Sequence, residues 1–270
     1  MKMDMLPLQF NSDQINMFTN TARRTALWLL LSAPIFTSCN KHFTVQKNEY
    51  QQYGVDNQMS VDSSVVKYYL PYKQKMEAEM SRVIGETEKE LSKPSDPETL
   101  IGNFYADAIL EEVLKVDPSI QISFPTTKGG IRNPLPKGKI SVENIFELMP
   151  FENELVKIKL SGKGVQKLIN FIAKSQGQPI AGLRMKVKNG VVSDVLINGK
   201  PLDLNQNYFV VTSDYLANSG DDQSVFATVM ERDNLGKKVR DTLMDYIANQ
   251  TKNGKKINAE LDGRVVITND

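Results

Sequence analysis

"NYFVVTSDYLANSGDD", residues 207–222, changes character halfway along. Its first part, NYFVVT, is dense in β-branched and aromatic residues and predicts a strand. The chain then passes through Tyr215 into Asn218-Ser219-Gly220-Asp221-Asp222, a run of turn formers. Asn218 and Gly220 suit a backbone with positive φ, and Asp221 leaves the turn as an acceptor for hydroxyl groups. A strand end that presents a ring and a carboxylate is either a plain reversal or one wall of a site. The surrounding elements decide between the two.

Upstream, Asp62-Ser63-Ser64 can cap a helix. Val65, Tyr69, Tyr72, Met76, Met80 and Val83 recur at helical spacing, so the stretch 62–92 predicts a helix, with Pro71 as its kink or its start. After the break KPSDPET, the run LIGNFYADAILEEVLKV predicts a second helix ending before Asp117-Pro118. SIQISF (119–124) predicts a strand, PTTKGGIRNPLPKGK a Gly- and Pro-rich loop, and SVENIFELM a short helix. Val156, Ile158 and Leu160 alternate with Lys157 and Lys159, the pattern of a half-buried strand. Val165, Leu168, Ile169 and Ile172 mark an amphipathic helix. Leu183, Met185 and Val187 alternate in another strand, and Asn189-Gly190 and Asn198-Gly199 are tight turns either side of VVSDVLI, predicting a small antiparallel meander. Val239, Leu243, Tyr246 and Ile247 place a last helix near 235–249, and GRVVIT closes as a strand. Helices and strands mix without strict βαβ alternation. The fold class read from this is α+β: a single domain, 61–270, with a mixed sheet packed by helices.

Composition excludes several functions. A formal net charge of +1 offers no basic surface for nucleic acid. One Cys makes no internal disulfide, and one His makes no His-rich metal site. At the N-terminus, Arg23-Arg24 precede TALWLLLSAPIF, and small residues lead to Cys39. A basic region, a short apolar run and a small-residue site describe a signal peptide over 1–38. The run is shorter than the roughly 20 residues of a membrane-spanning helix. Phe36-Thr37-Ser38-Cys39 resembles a bacterial lipobox, in which the Cys becomes the first mature residue and carries lipid; the plain alternative is a buried Cys behind a signal peptide. Residues 39–60 are polar and without period, and read as a lipidated tether. Residues 1–38 hold three basic and two acidic side chains, so the chain without them is close to neutral. The expectation is an exported protein, lipid-anchored to a bacterial membrane, facing the periplasm or the cell surface.

There is no GxSxG elbow, P-loop or Cys nucleophile. A two-metal hydrolase needs several His and carboxylate ligands, and the only His, His42, lies in the tether. No catalytic residue is assigned, and carboxylate-only chemistry stays open. Two Gly-bearing loops remain. In TKGGIR, Gly129 and Gly130 allow backbone N–H groups close to a ligand, and Arg132 offers a planar fork of donors. In LMPFEN, Pro150 restricts the chain before Phe151, and Asn153 can present its amide to a polar edge. Each feature alone has an ordinary explanation: a Gly-Gly turn with a surface Arg, a core Phe, a turn Asn. Taken together, an Arg, an Asp and two aromatic rings on loops at element ends suit a nucleoside. Bases stack on aromatic faces, and a carboxylate can take both hydroxyls of a ribose.

ETLIGNFYADAI, GGIR, LMPFEN and YLANSGDD stand in the order and at the spacing found in the C-terminal domain of bacterial and animal 5′-nucleotidases, UDP-sugar hydrolases included, and the closing DGRV fits the end of that domain. Residues of about 80–268 resemble it. The resemblance implies that Phe151 and Tyr215 clamp the base, that Arg132 and Asp221 hold the ribose, that Asn153 faces the base, and that Asn218, Thr127, Gly129 and Gly130 belong to the same site. It also implies a metallophosphoesterase domain that holds two divalent metals and performs the hydrolysis. Nothing before residue 60 resembles that domain, so the expectation is a separately encoded metallophosphoesterase and no cofactor in this chain. The chain would then be the nucleotide- or nucleoside-binding half of a split 5′-nucleotidase. The alternatives are a stand-alone binding lipoprotein and a scaffold whose pocket has decayed. Two departures from the pattern bear on that last reading. Ser219 and Asp222 stand where the family's turn usually has Gly, and KPSDPETLIGN lacks an Arg that many relatives carry there. The stretch 62–92 lies where intact members join their two domains; it either packs on its own domain or offers its exposed side for docking.

Overall fold

A computed structural model describes residues 49–54, 56, 59–221 and 225–268. The signal peptide, Cys39 and His42 lie outside the described residues. The chain divides into two units, Met1–Ser60 and Val61–Asp270, and the second carries the fold. Among the described residues no helix is long and apolar enough to cross a membrane.

Helix α1, Ser63–Met80, starts where Asp62 accepts hydrogen bonds from the Ser64 and Val65 N–H groups at 2.8 and 3.4 Å. Pro71 sits inside this helix rather than at its start. No residue of α1 is fully buried; of its apolar stripe, Val65, Tyr69, Tyr72 and Met76 are exposed, and Met80 at its end is partly buried against the first core cluster. The helix also ends earlier than its spacing suggests: Val83 opens strand β1, Val83–Thr87, instead of continuing the pattern. β1 pairs antiparallel with β3, Gly138–Ser141, as a two-stranded ribbon.

The expected mixed sheet is in fact two four-stranded mixed sheets. The central one has the order β2-β8-β4-β9: Ile122–Phe124, Asn207–Ser213, Glu154–Ser161 and Glu231–Lys238. β2 runs parallel to β8, and β4 is antiparallel to both β8 and β9. The other sheet holds the predicted meander, β5 (Leu183–Lys188), β6 (Val191–Ile197) and β7 (Lys200–Pro201), with β10 (Val265–Thr268) added parallel to β5. The remaining helices are α2 (Leu100–Leu114), α3 (Val142–Leu148), α4 (Gly162–Lys174), α5 (Asp214–Ala217) and α6 (Val239–Lys252).

Strand alternation puts a separate core on each face of the central sheet. Leu155 and Val211 join Ile101, Tyr105 and Ile109 of α2, Ile145 of α3 and Leu243 of α6. Val156, Ile158, Leu160 and Val210 face the other way, onto Val165, Leu168, Ile169 and Ile172 of α4 and Leu183, Met185 and Val187 of β5. Sequence reasoning misses β9, because ERDNLGKK has almost nothing apolar. It is an edge strand, and charge suits an edge. Lys159 meets Glu231 at 2.6 Å and Lys157 meets Asp233 at 3.4 Å across the β4–β9 pair. That strand takes residues 231–238 and delays the last helix to Val239. The closing strand is tied in by Arg264. Its guanidinium donates to both Asp107 carboxylate oxygens of α2 at 2.7 and 2.9 Å, to Asp262 at 3.0 Å and to the Ile180 carbonyl at 2.9 Å.

Candidate functional site

The register of the central sheet assembles the site. Phe124 pairs with Thr212 across the parallel β2–β8 ladder, and Thr212 pairs with Val156 across the antiparallel β8–β4 ladder. The chain therefore leaves β2, leaves β8 and enters β4 at one end of the sheet. The TKGGIR loop, the YLANSGD turn and the LMPFEN turn meet there around a cavity of about 300 Å³. Eight of the sequence-predicted residues line it: Thr127, Gly129, Gly130, Arg132, Phe151, Asn153, Tyr215 and Asp221.

On one side, the exposed Arg132 guanidinium lies over the Phe151 ring, 5.0 Å from its centroid. It forms no hydrogen bond or ion pair with another described residue, while its backbone N–H donates to the Leu148 carbonyl at 2.9 Å and holds the loop to the end of α3. Phe151 is half-buried against the first core cluster. Its own N–H donates to the Met149 sulfur at 3.3 Å. The Asn153 side-chain amide is without a partner among the described residues, although its carbonyl accepts from Val239 N–H at 2.9 Å.

On the other side, Tyr215 is 51% exposed and its hydroxyl donates to Asp221 Oδ1 at 2.9 Å. Thr127 Oγ1 donates to Asp221 Oδ2 at 2.6 Å. The hydrogen bond to the Asp221 carboxylate, reinforced by its charge, raises the Tyr215 pKa by favouring the protonated phenol. The ring lies against Gly220, where a Cβ would come within 2.4 Å of Tyr215 Cε1. Gly130 is likewise demanded by packing, since a Cβ there would lie 2.0 Å from Thr126 Oγ1. Its role is to close the loop on itself; Gly129 is the one with room for a ligand at the backbone.

Two expectations change. Asn218 does not line the cavity: Arg232 Nη1 on β9 donates to its Oδ1 at 2.6 Å, and it borders an adjoining groove behind Tyr215. The positive φ values also fall elsewhere. Asn218 has φ −90°, whereas Ser219 and Asp221 have 76° and 65°. Sequence reasoning misses Met149, Thr126 and Ser213, which also line the cavity. Each stands within two residues of a position it singles out, and only the local chain path brings it in. Among the described residues no three or more His, Cys, Asp or Glu gather to hold a metal ion.

The site is thus a cavity built from three loops at one end of a mixed sheet, with a ring on each of two of them, in an α+β domain. The family model described as 5′-nucleotidase, C-terminal domain, matches residues 83–228, more than half of the chain, and the chain belongs to that family. It is 26% identical over 180 residues to a 5′-nucleotidase of Vibrio vulnificus, covering 63% of this chain and 32% of that protein. It is 27% identical over 235 residues to an apyrase of Aedes aegypti, covering 79% and 41%. The crystal structure of a 5′-nucleotidase precursor from Thermus thermophilus superimposes with a TM-score of 0.66 at 28% identity, covering 76% of this chain and 43% of that one. The chain thus spans 32% to 41% of the length of these curated relatives.

Proposed function

We propose that the chain is the nucleotide- or nucleoside-binding half of a split 5′-nucleotidase, with a separately encoded metallophosphoesterase supplying two divalent metals and the attacking water. One observation carries this reading: Arg132 with Phe151, and Tyr215 with Asp221, line the same cavity from different loops. The volume, about 300 Å³, is at the small end of ligand pockets and suits a nucleoside. Phe151 and Tyr215 offer π-faces to a base. Asp221 uses one acceptor site on each oxygen for Thr127 and Tyr215, and a carboxylate has about four, which leaves room for ribose hydroxyls. The Arg132 fork, which makes no hydrogen bond or ion pair among the described residues, suits a sugar or phosphate oxygen. The same reading places the protein outside the cytoplasm, held to a membrane by lipid on Cys39. FTSC, directly behind a short apolar run, supports that location.

The experiment mixes the lipid-free chain with the metallophosphoesterase encoded nearest to it. The expected outcome is a complex in gel filtration and a rise in AMP hydrolysis over the phosphoesterase alone. No complex and no rise would defeat the split-enzyme reading, while saturable adenosine binding by the isolated chain would still support the pocket.

A further inference from the structure

Three consecutive residues of the LMPFEN turn are bonded to three consecutive residues at the β9–α6 corner. Arg240 Nη1 donates to the Phe151 carbonyl at 3.2 Å. Arg240 Nη2 and Lys238 Nζ both donate to the Glu152 carboxylate. Val239 N–H donates to the Asn153 carbonyl. The Arg240 side chain is only 6% exposed, and its guanidinium lies 3.9 Å from the centroid of the Phe146 ring on α3, the helix from which the turn departs. Its Nε is buried without a hydrogen-bond partner among the described residues. Removing one partner of a buried ion pair is costly when it strands the other charge in the interior. Glu152 is exposed and keeps Lys238, so replacing Arg240 by an apolar side chain of similar volume strands no buried charge. What Arg240 does secure is the relative placement of α3, the turn and α6. Through them it secures Phe151.

We infer that Arg240, acting with Glu152, is a positioning residue that holds the Phe151 ring at the cavity edge in the absence of ligand. This rests on the nucleoside reading of the cavity. Phe151 is an aromatic on a turn, and a turn left to itself samples many conformations. A ring fixed beforehand binds a flat heterocycle without first losing that freedom. Arg132 reaches the ring from the TKGGIR loop, but its side chain is exposed and makes no hydrogen bond or ion pair among the described residues, so it cannot supply the anchorage.

The test compares Arg240→Met, Arg240→Lys and Glu152→Gln in the full chain. Three quantities are measured: the thermal midpoint, the hydrogen-exchange rate of the Val239 amide without ligand, and the adenosine dissociation constant by calorimetry. Arg240→Met is expected to keep its midpoint, to speed exchange at Val239, and to weaken adenosine binding about tenfold. Arg240→Lys is expected to restore only part of the affinity, because an ammonium has no planar fork. In a Phe151→Ala background the same changes are expected to add nothing. The inference is overturned if Val239 exchange and adenosine affinity both stay within twofold of wild type, or if the affinity loss persists in the Phe151→Ala background. Glu152→Gln, at an exposed position, keeps the test decisive if Arg240→Met fails to fold. The exchange measurement needs no ligand. A wild type that bound no adenosine would therefore sink the nucleoside reading, and Val239 exchange would still decide the clamp.

Discussion

Tyr215 touches Asp221 through its hydroxyl and Gly220 through its ring, so two kinds of interaction can be separated at one residue. If the ring face is what a base stacks on, Tyr215→Phe keeps adenosine affinity within a few fold, whereas Tyr215→Ala loses it by about tenfold or more. Equal losses in calorimetry would mean that the hydroxyl, not the ring, is the binding group. Arg132, Phe151, Tyr215 and Asp221 are legible as candidates because each sits in a short motif whose composition limits what the backbone can do. Asn218 shows the limit of that method. The same motif points to it, but Arg232, fourteen positions further on, turns its amide away from the cavity. The backbone of the turn teaches the same lesson. Positive φ falls on Ser219 and Asp221, and Asp tolerates it better than most side chains.

Among the elements, α1 has a clean helical stripe, of which Met80 at its end is partly buried and the rest is exposed. Spacing reports which residues share a face, not whether anything covers that face. Tyr69→Ser with Tyr72→Ser is therefore expected to change unfolding free energy by no more than about 0.5 kcal/mol each, as for ordinary surface positions, measured by urea denaturation. A larger loss would show that the Tyr69 and Tyr72 side chains pack against something in the isolated protein. The charged elements make a prediction about acid. A hydrogen bond from Lys157, then those from Ser119, hold the Asp117 carboxyl at about 2, below its ordinary 3.8. Hydrogen bonds from Lys238, then Arg240, hold Glu152 at about 2, below its ordinary 4.5. Both pKa values are depressed on folding. The stability they contribute is present above the ordinary values and lost as pH falls toward 2. The thermal midpoint is expected to drop between about pH 4.5 and 2, and Asp117→Asn is expected to flatten part of that drop. An unchanged slope in Asp117→Asn would show that its pairing with Lys157 contributes nothing in solution.

For the whole molecule, Arg264 joins α2, the Ile180 segment and the last strand in one network of charge-assisted hydrogen bonds. Arg264→Met is expected to cost about 3 kcal/mol, the low end for breaking a buried ion pair, because water can still reach Asp107 and Asp262. Asp107→Asn is expected to cost less. Urea midpoints check both, and an Arg264→Met protein as stable as wild type would rule out the network as a tie. The site is a property of this scale too. β2 and β8 are far apart in sequence, and only their parallel pairing brings Thr127 to within 2.6 Å of Asp221.

By itself, the sequence determined most of the secondary elements, the α+β class and eight of the residues around the cavity. Those depend on local alternation, turn chemistry and motif order, all of which are written in neighbouring residues. Tertiary structure alone decided that the sheet is two sheets, that a charged segment serves as edge strand β9, that most of the α1 stripe stands exposed, and that Arg240 reaches the Phe151 turn from 89 positions away. The reason is common to all four. Each depends on which distant backbone groups satisfy one another and on what covers a given face, and local pattern carries no information about either.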